Sequence, residues 1–469
     1  MMISRSEPPL SSRRRDDTNA AGIYDAVMAE LTGPRGGFLG LGNARALGRD
    51  LLGFYRDNAR VHGDASAFRI GPIKCFQFVH PDHNHEVLVE KARAFSKPAR
   101  LRRVLGQWNG NGLVVNEGES WVRQRRLTNP AFKPQRIARY VDIVNRRADA
   151  LLAGWQAGAT VDASAAVYKL TFGVVAEALF GSDVEAHTER FAAEVAVLNV
   201  EGMREMSSPI IWPLWFPTPA KRRIRRATRY LQGVADAMIA AHRKAGEDRG
   251  NLLSAMLHVR DDEAGGDGGQ MTDRQARDES INLMLGGAET TGTAVLWTLH
   301  LLSTHPEEQA RVRAEVAEVL GGRAPTADDV GKLKWVERSF QEALRLYPPA
   351  YLLPREALED VDIGGHAVPR GAQVTLVVYV TQRDARWFPE PEAFRPARFE
   401  GEPTWPKGAY LPFGLGPRAC IGRGFATTEA VVTLARLLQR FSVKPVGAVD
   451  AVAQVSLHPR EALRLELAE

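Results

Sequence analysis

The chain has 469 residues, a formal net charge of +5 and only two cysteines, Cys75 and Cys420. That length can bury a large core and by itself allows more than one domain. A charge balance this mild is no nucleic-acid signature, two cysteines exclude a disulfide scaffold and suit a reducing compartment, and no zinc-ligand spacing, phosphate loop or dinucleotide glycine fingerprint is present.

Residues 1–19 are polar, carry Arg13-Arg14-Arg15 and read as disordered, with neither a signal peptide nor a transmembrane anchor. Ala20 to Leu31 and Asn43 to His62 read as amphipathic helices separated by a Gly/Pro turn. Ala67 to Ile70 and Cys75 to Val79 form an expected hairpin about Gly71-Pro72, with Cys75 structural. Pro81 to Lys91 returns to helix, and Ser96 to Gly112 reads as a basic, loop-rich segment. In the helix Glu119 to Asn129, Trp121 and Arg125 are four apart and share a face, as a cation–π pair or a basic solvated helix would.

Ile137 to Trp155, Ala165 to Phe180 and Thr188 to Val200 are expected helices. The aromatic loop Ile210 to Pro217 precedes a basic helix running from Lys221 to about Lys244. Aromatics of this kind commonly pack inward; the alternative is contact with a membrane surface. After the Gly/Asp linker Asp261 to Gly269, a long helix starts near Thr272 or Asp273. Its stretch Ile281 to Leu302 could span a bilayer by length, but Asn282, Glu289 and His300 make it a buried core helix.

Gly286 and Gly287 lie in the middle of that helix and cost it about 1 kcal/mol each relative to alanine. Close approach of a flat cofactor would compensate, as would helix packing through small residues. Glu289, beside Thr290, puts a carboxylate inside an apolar helix, where burial is costly. Pro306 to Leu320 and Glu337 to Tyr347 are further helices; Glu342 and Arg345 in the second are spaced for a helical ion pair. Val361 to Ile363 and Val374 to Val378 read as a small sheet, and Phe441 to Leu467 as short strands.

The most constrained stretch is Phe413-Gly414-Leu415-Gly416-Pro417-Arg418-Ala419-Cys420-Ile421-Gly422, followed by an apolar helix over Ala426 to Leu438. Its glycines permit tight turns and close approach. A cysteine at a helix start is biased toward thiolate. With Arg418 two residues before it, such a thiolate suits axial ligation of haem iron, the arginine meeting a propionate.

This loop resembles the cysteine loop of the cytochrome P450 family. Trp121-x-x-x-Arg125, Gly286-Gly287-Ala288-Glu289-Thr290, Glu342-x-x-Arg345 and the segment around Arg398 resemble that family's other motifs, in its order, from about residue 40 onward. Gly286 stands where the usual residue is alanine, and Gln382-Arg383-Asp384 where many relatives have His-Arg-Asp.

The resemblance implies one mainly α-helical domain with small β-sheets, over 20–469, holding haem b. It implies Cys420 as the iron ligand, with Trp121, Arg125, Arg355, Phe413, Arg418 and Gly422 around the haem. Glu289 and Thr290 would serve proton delivery, and Glu342, Arg345 and Arg398 would form a structural cluster. The activity implied is monooxygenation by O2 of a lipophilic substrate in the cytoplasm, with electrons from a ferredoxin or flavodoxin and its reductase. Arg123, Arg126, Lys133 and Arg423 are candidates for docking that partner. A peroxide-driven enzyme and a non-enzymatic haem sensor are the alternatives. Arg100 to Leu113, Ile210 to Trp215, Leu283 to Thr290, Ala350 to Leu353 and Ala451 to Val455 would line the substrate pocket.

Overall fold

The computed structural model describes residues 31–181, 187–208, 210–246, 248–260 and 269–469. The segment 1–19, the expected helix from Ala20 and most of the expected linker Asp261 to Gly269 lie outside them. The architecture is mainly α-helical with small β-sheets.

The helix Asp273–Thr304 runs through the centre. It starts at a capping box: Gln275 N donates to Thr272 Oγ1 at 3.2 Å, and Thr272 N donates back to Gln275 Oε1 at 3.0 Å. Helices Ala163–Phe180, Pro219–Ala245, Lys334–Leu346 and Arg423–Arg440 pack against it. The expected core stretch Ile281 to Leu302 lies in this helix, with Val295, Leu296 and Trp297 fully buried. Among the described residues one helix, Ala163–Phe180, is long and apolar enough to cross a membrane; most of it is buried against protein, as in a core helix.

The largest sheet has the spatial order Ala65–Ile70, Ile73–Phe78, Gln373–Leu376, Leu353–Ala357, Phe95–Ser96. The first two strands form the hairpin read from the sequence, with Phe68 opposite Cys75. Burial pushes the Cys75 thiol up to about 12, which leaves it an inert core group.

Some expected elements differ. The helix expected over Asn43 to His62 is two, Leu41–Arg49 and Leu51–His62, because Asp50 turns extended and its carboxylate accepts from Gly53 N at 2.9 Å. The segment read as loop after Ser96 holds a helix, Ala99–Asn109, with Val104 and Trp108 buried one turn apart. Its Arg100 donates to the carbonyls of Met206 (3.0 Å) and Glu205 (2.7 Å) at the end of helix Thr188–Ser207, so a basic residue closes a helix end. A short buried helix, Leu252–His258, was not legible as such. The aromatic loop packs inward only through Ile211 and Leu214, while Trp212 stacks on Phe216 at 4.4 Å and Trp215 is 71% exposed.

Candidate active site

The cysteine loop is built by backbone constraint. Gly414 and Gly416 have φ of 67° and 69°, a conformation costly for any residue with a Cβ. A Cβ at Gly416 would also collide with the Leu88 carbonyl. Cys420 N donates to Phe413 O at 2.8 Å, closing the loop. Gly422 caps the helix Arg423–Arg440, placing Cys420 just ahead of its first turn.

Cys420 is solvent-accessible at its loop position, yet protein crowds the thiol. Burial raises its pKa; the N–H groups of Gly422 and Arg423 and the charges of Arg125 and Arg423 oppose that rise. The expected helix-start effect is therefore present but outweighed in the protein alone. A bound metal cation deprotonates such a thiol outright. Gly422, expected among the cofactor residues, acts here as helix cap and as an N–H donor to sulfur.

A second feature is an excess of positive charge. Lys97, Arg355 and Arg418 line one small cavity with Phe95 and Ser96. Arg418 pairs with Glu117, donates to Asn116 O at 2.9 Å and lies 3.9 Å from the Trp121 ring centre. The cation–π partner of Trp121 is thus Arg418, not Arg125. Among the described residues neither Lys97, Arg355 nor Arg125 forms an ion pair.

Burial and the charges of Arg418 and Arg355 push Lys97 down to about 7, against Glu117. Burial and Arg418 push Arg355 down to about 10. Among the described residues Glu117 is the one carboxylate ion-paired in this cluster, and Glu279 acts on Lys97 and Arg125 by charge alone, so the site still favours further anionic charge. This donor set fits the two propionates of a haem, and the Cys420 thiol is a sulfur that could serve its iron. Lys97 and Glu117 carried no motif in the sequence; loop residues brought together by folding have no spacing rule to reveal them.

The central helix supplies the third part. Gly286 is exposed in the middle of this otherwise buried helix, and a Cβ there would meet nothing within 4 Å. Gly287 instead packs against Val175 at ordinary contact distance. The two glycines therefore divide between the readings made from sequence: one fronts open space, the other serves helix packing. Thr290 Oγ1 donates to Gly286 O at 2.7 Å. Glu289 accepts from Asn199 Nδ2, from Ser456 Oγ at 3.0 Å and from His458 Nε2 at 2.7 Å. The burial of this acid is thus compensated by partners from the helix Thr188–Ser207 and from the C-terminal hairpin formed by the strands Ala451–Ala453 and Leu457–Pro459. Nearly three turns earlier on the same helix, Glu279 is fully buried and accepts from Leu113 N and Gln124 Nε2, each at 2.9 Å. Burial raises it to about 7.

Glu342, Arg345 and Arg398 are brought together in the core. Arg345 donates to Glu342 at 2.7 and 2.8 Å and to the carbonyls of Gln382, Pro391 and Ala393. Arg398 Nε reaches Glu342 Oε1 at 3.3 Å. Gln382, fully buried, donates to Leu344 O and Arg345 O at 3.0 Å and accepts from Leu411 N. It braces this cluster against the segment leading into the cysteine loop.

Comparison with known proteins gives the family and the fold. A model of the cytochrome P450 family matches residues 33–462. The chain is 37% identical to cyclooctatin synthase of Streptomyces melanosporofaciens, over 88% of this chain and 89% of that protein. It is 35% identical to pentalenene oxygenase of Streptomyces avermitilis, over 88% and 92%. It is 33% identical to cyclooctat-9-en-7-ol 5-monooxygenase of Streptomyces melanosporofaciens, over 87% and 88%. The solved haem domain of cytochrome P450DA superposes with a TM-score of 0.83 at 28% identity, covering 93% of this chain and 97% of that one. The chain belongs to the cytochrome P450 family and is an oxidoreductase of the monooxygenase type.

Proposed function

We propose that this enzyme inserts one oxygen atom of O2 into a C–H bond of a lipophilic terpenoid, using electrons from separate redox proteins. The observation that carries this reading is the Glu289–Thr290 pair, a hydrogen-bonded carboxylate beside a hydroxyl tied to the exposed mid-helix position Gly286. The substrate class is supported by the relatives, whose names refer to cyclooctatin, cyclooctatenol and pentalenene chemistry.

Haem b, when bound, supplies the redox chemistry that activates dioxygen. Cys420 would hold the iron, its sulfur steadied by the Gly422 and Arg423 N–H groups. Arg418, Arg355, Lys97 and Arg125 would hold the propionates, with Trp121 stacked on Arg418 and Phe413 closing the cysteine loop. Glu289 would hold and release the proton that oxygen reduction consumes, and Thr290 would orient its delivery. Glu342, Arg345 and Arg398 act by fixing the polypeptide near the cysteine loop.

Arg126, Lys133 and Arg423 are exposed, while Arg123 is half-buried and donates to Gln270 O at 3.2 Å. Phe132, next to Lys133 in the chain, approaches Gly422, next to Arg423. This basic surface suits an acidic ferredoxin or flavodoxin in the cytoplasm, with association that weakens as salt rises.

The test is turnover of the purified holoenzyme with a surrogate ferredoxin, its reductase and a panel of cyclic terpenes under 18O2. One labelled oxygen in the product is expected, with a saturable Soret shift confined to terpenes. Label arriving only from added H2 18O2, with a rate unchanged by Thr290→Ala, would instead make the enzyme peroxide-driven. No product from any terpene would overturn the substrate class.

A further inference from the structure

The Glu289 carboxylate does not end its hydrogen bonds at the central helix. His458, in the strand Leu457–Pro459, places Nε2 at 2.7 Å from Glu289 Oε1 and Nδ1 at 2.7 Å from the Tyr168 hydroxyl. Tyr168 Oη lies 3.0 Å from Thr293 Oγ1. A carboxylate only accepts, so Nε2 carries the hydrogen toward Glu289; Nδ1 of the neutral ring then accepts from Tyr168 O–H, whose oxygen accepts from Thr293. One orientation of every group satisfies the whole chain, and it directs donors toward Glu289.

Folding holds this chain in place at both ends. Trp297 Nε1 donates to Leu457 O at 2.7 Å, and Leu457 N donates to Pro349 O at 3.1 Å, fixing the backbone beside His458. Gly292 makes room for Tyr168: a Cβ there would come within 2.8 Å of the tyrosine ring. Among the described residues, Glu289 and Tyr168 are the titratable groups facing the imidazole from the helices packed against it. On the hairpin itself, Asp450 and Arg460 are joined backbone to backbone at its open end, at 2.7 Å. The imidazole remains 16% exposed, so water can reach it.

We propose that His458 is the residue that positions Glu289 and reloads it with protons during turnover. A proton passes from Nε2 to Glu289 Oε1. Tyr168 gives its hydroxyl proton to Nδ1 and takes one back from water, which leaves the ring as the Nδ1–H tautomer; the ring resets when Nε2 takes a proton from water and Nδ1 returns one to water, so each cycle moves one solvent proton to Glu289. The source is bulk water, and no oxidant or reductant is needed. This inference rests on the monooxygenase reading.

The test compares His458→Gln, His458→Phe and Tyr168→Phe holoenzymes with the wild type. Gln keeps a donor for Glu289 but cannot relay a proton; Phe removes both functions. Both His458 variants should keep the substrate dissociation constant; His458→Gln, which keeps a donor for Glu289, should also keep the thermal midpoint, while His458→Phe should lower it. Product formed per reducing equivalent should fall about tenfold or more, the balance appearing as hydrogen peroxide, with a larger solvent isotope effect. Wild-type coupling and isotope effect in His458→Gln would overturn the relay, because it would show that a static donor suffices.

A second readout is independent of turnover. In the reduced, CO-saturated holoenzyme labelled with 15N-histidine, both imidazole resonances of His458 should shift in Tyr168→Phe and in Glu289→Gln. Resonances unmoved by either change would overturn the hydrogen-bonded chain. A wild type that makes no oxygenated product would sink the monooxygenase reading and leave this spectroscopic result standing on its own.

Discussion

Two charged clusters in this protein look alike in composition and differ in accounting. In the Glu342–Arg345–Arg398 cluster, the fully buried Arg345 is matched to Glu342 and to three backbone carbonyls, and Glu342 also accepts from Arg398 and from Arg395 N. In the Lys97–Arg355–Arg418 cluster, Glu117 is the one carboxylate ion-paired with the cations among the described residues, and their pKa values fall. A self-satisfied network holds a fold; a network with surplus charge awaits a ligand of the opposite sign. Hydrogen-bond completeness separates the two roles where residue type cannot.

The sharpest way to break the comparison is to cut each network once. Glu342→Ala strands a buried guanidinium and should cost about 3–5 kcal/mol of stability, seen as a collapsed thermal midpoint with or without haem. Arg418→Gln should act on the haem-bound form alone. Haem affinity should fall by about 1.5–3 kcal/mol, measured by transfer to a haem acceptor. The haem-free protein should hold its midpoint, since a crowded cation has gone. Equal destabilisation of both forms would make Arg418 a structural residue like Arg345.

A smaller effect concerns pH in the haem-free protein. Lys97 is held near 7, below its ordinary range, so the unfolded chain binds more protons above that value. Stability should therefore rise from pH 7 toward about 10, and Lys97→Met should flatten that limb. Glu279 is raised to about 7, so the folded state holds the extra proton between its ordinary value and 7. Stability should fall as pH rises through that window, and Glu279→Gln should remove the slope. Denaturant titrations across pH should show both limbs meeting near neutrality. Haem should abolish the Lys97 limb, because the propionates would keep the ammonium charged.

The smallest effect is at the surface. Arg423→Ala or Lys133→Ala should slow reduction by an acidic partner severalfold at low salt and little at high salt, with folding untouched. A change independent of salt would place these residues outside the docking surface.

The sequence alone determined whatever rests on short spacing. The cysteine loop needs glycines at fixed offsets because its backbone takes φ values that other residues resist, and those glycines are visible in the chain. The capped start of the central helix and the three-residue offset of Glu342 and Arg345 are local in the same sense. Helix Ala99–Asn109 was hidden because its basic residues mimic loop, while its helical face is set by Val104 and Trp108 meeting distant helices. Only the tertiary structure decided the rest. Lys97 meets Arg355 and Arg418, and His458 meets Glu289 across 169 positions, through contacts that no period or motif encodes. Local backbone geometry is written in consecutive residues, whereas charge balance and proton paths depend on which distant side chains the packed core brings within hydrogen-bond reach.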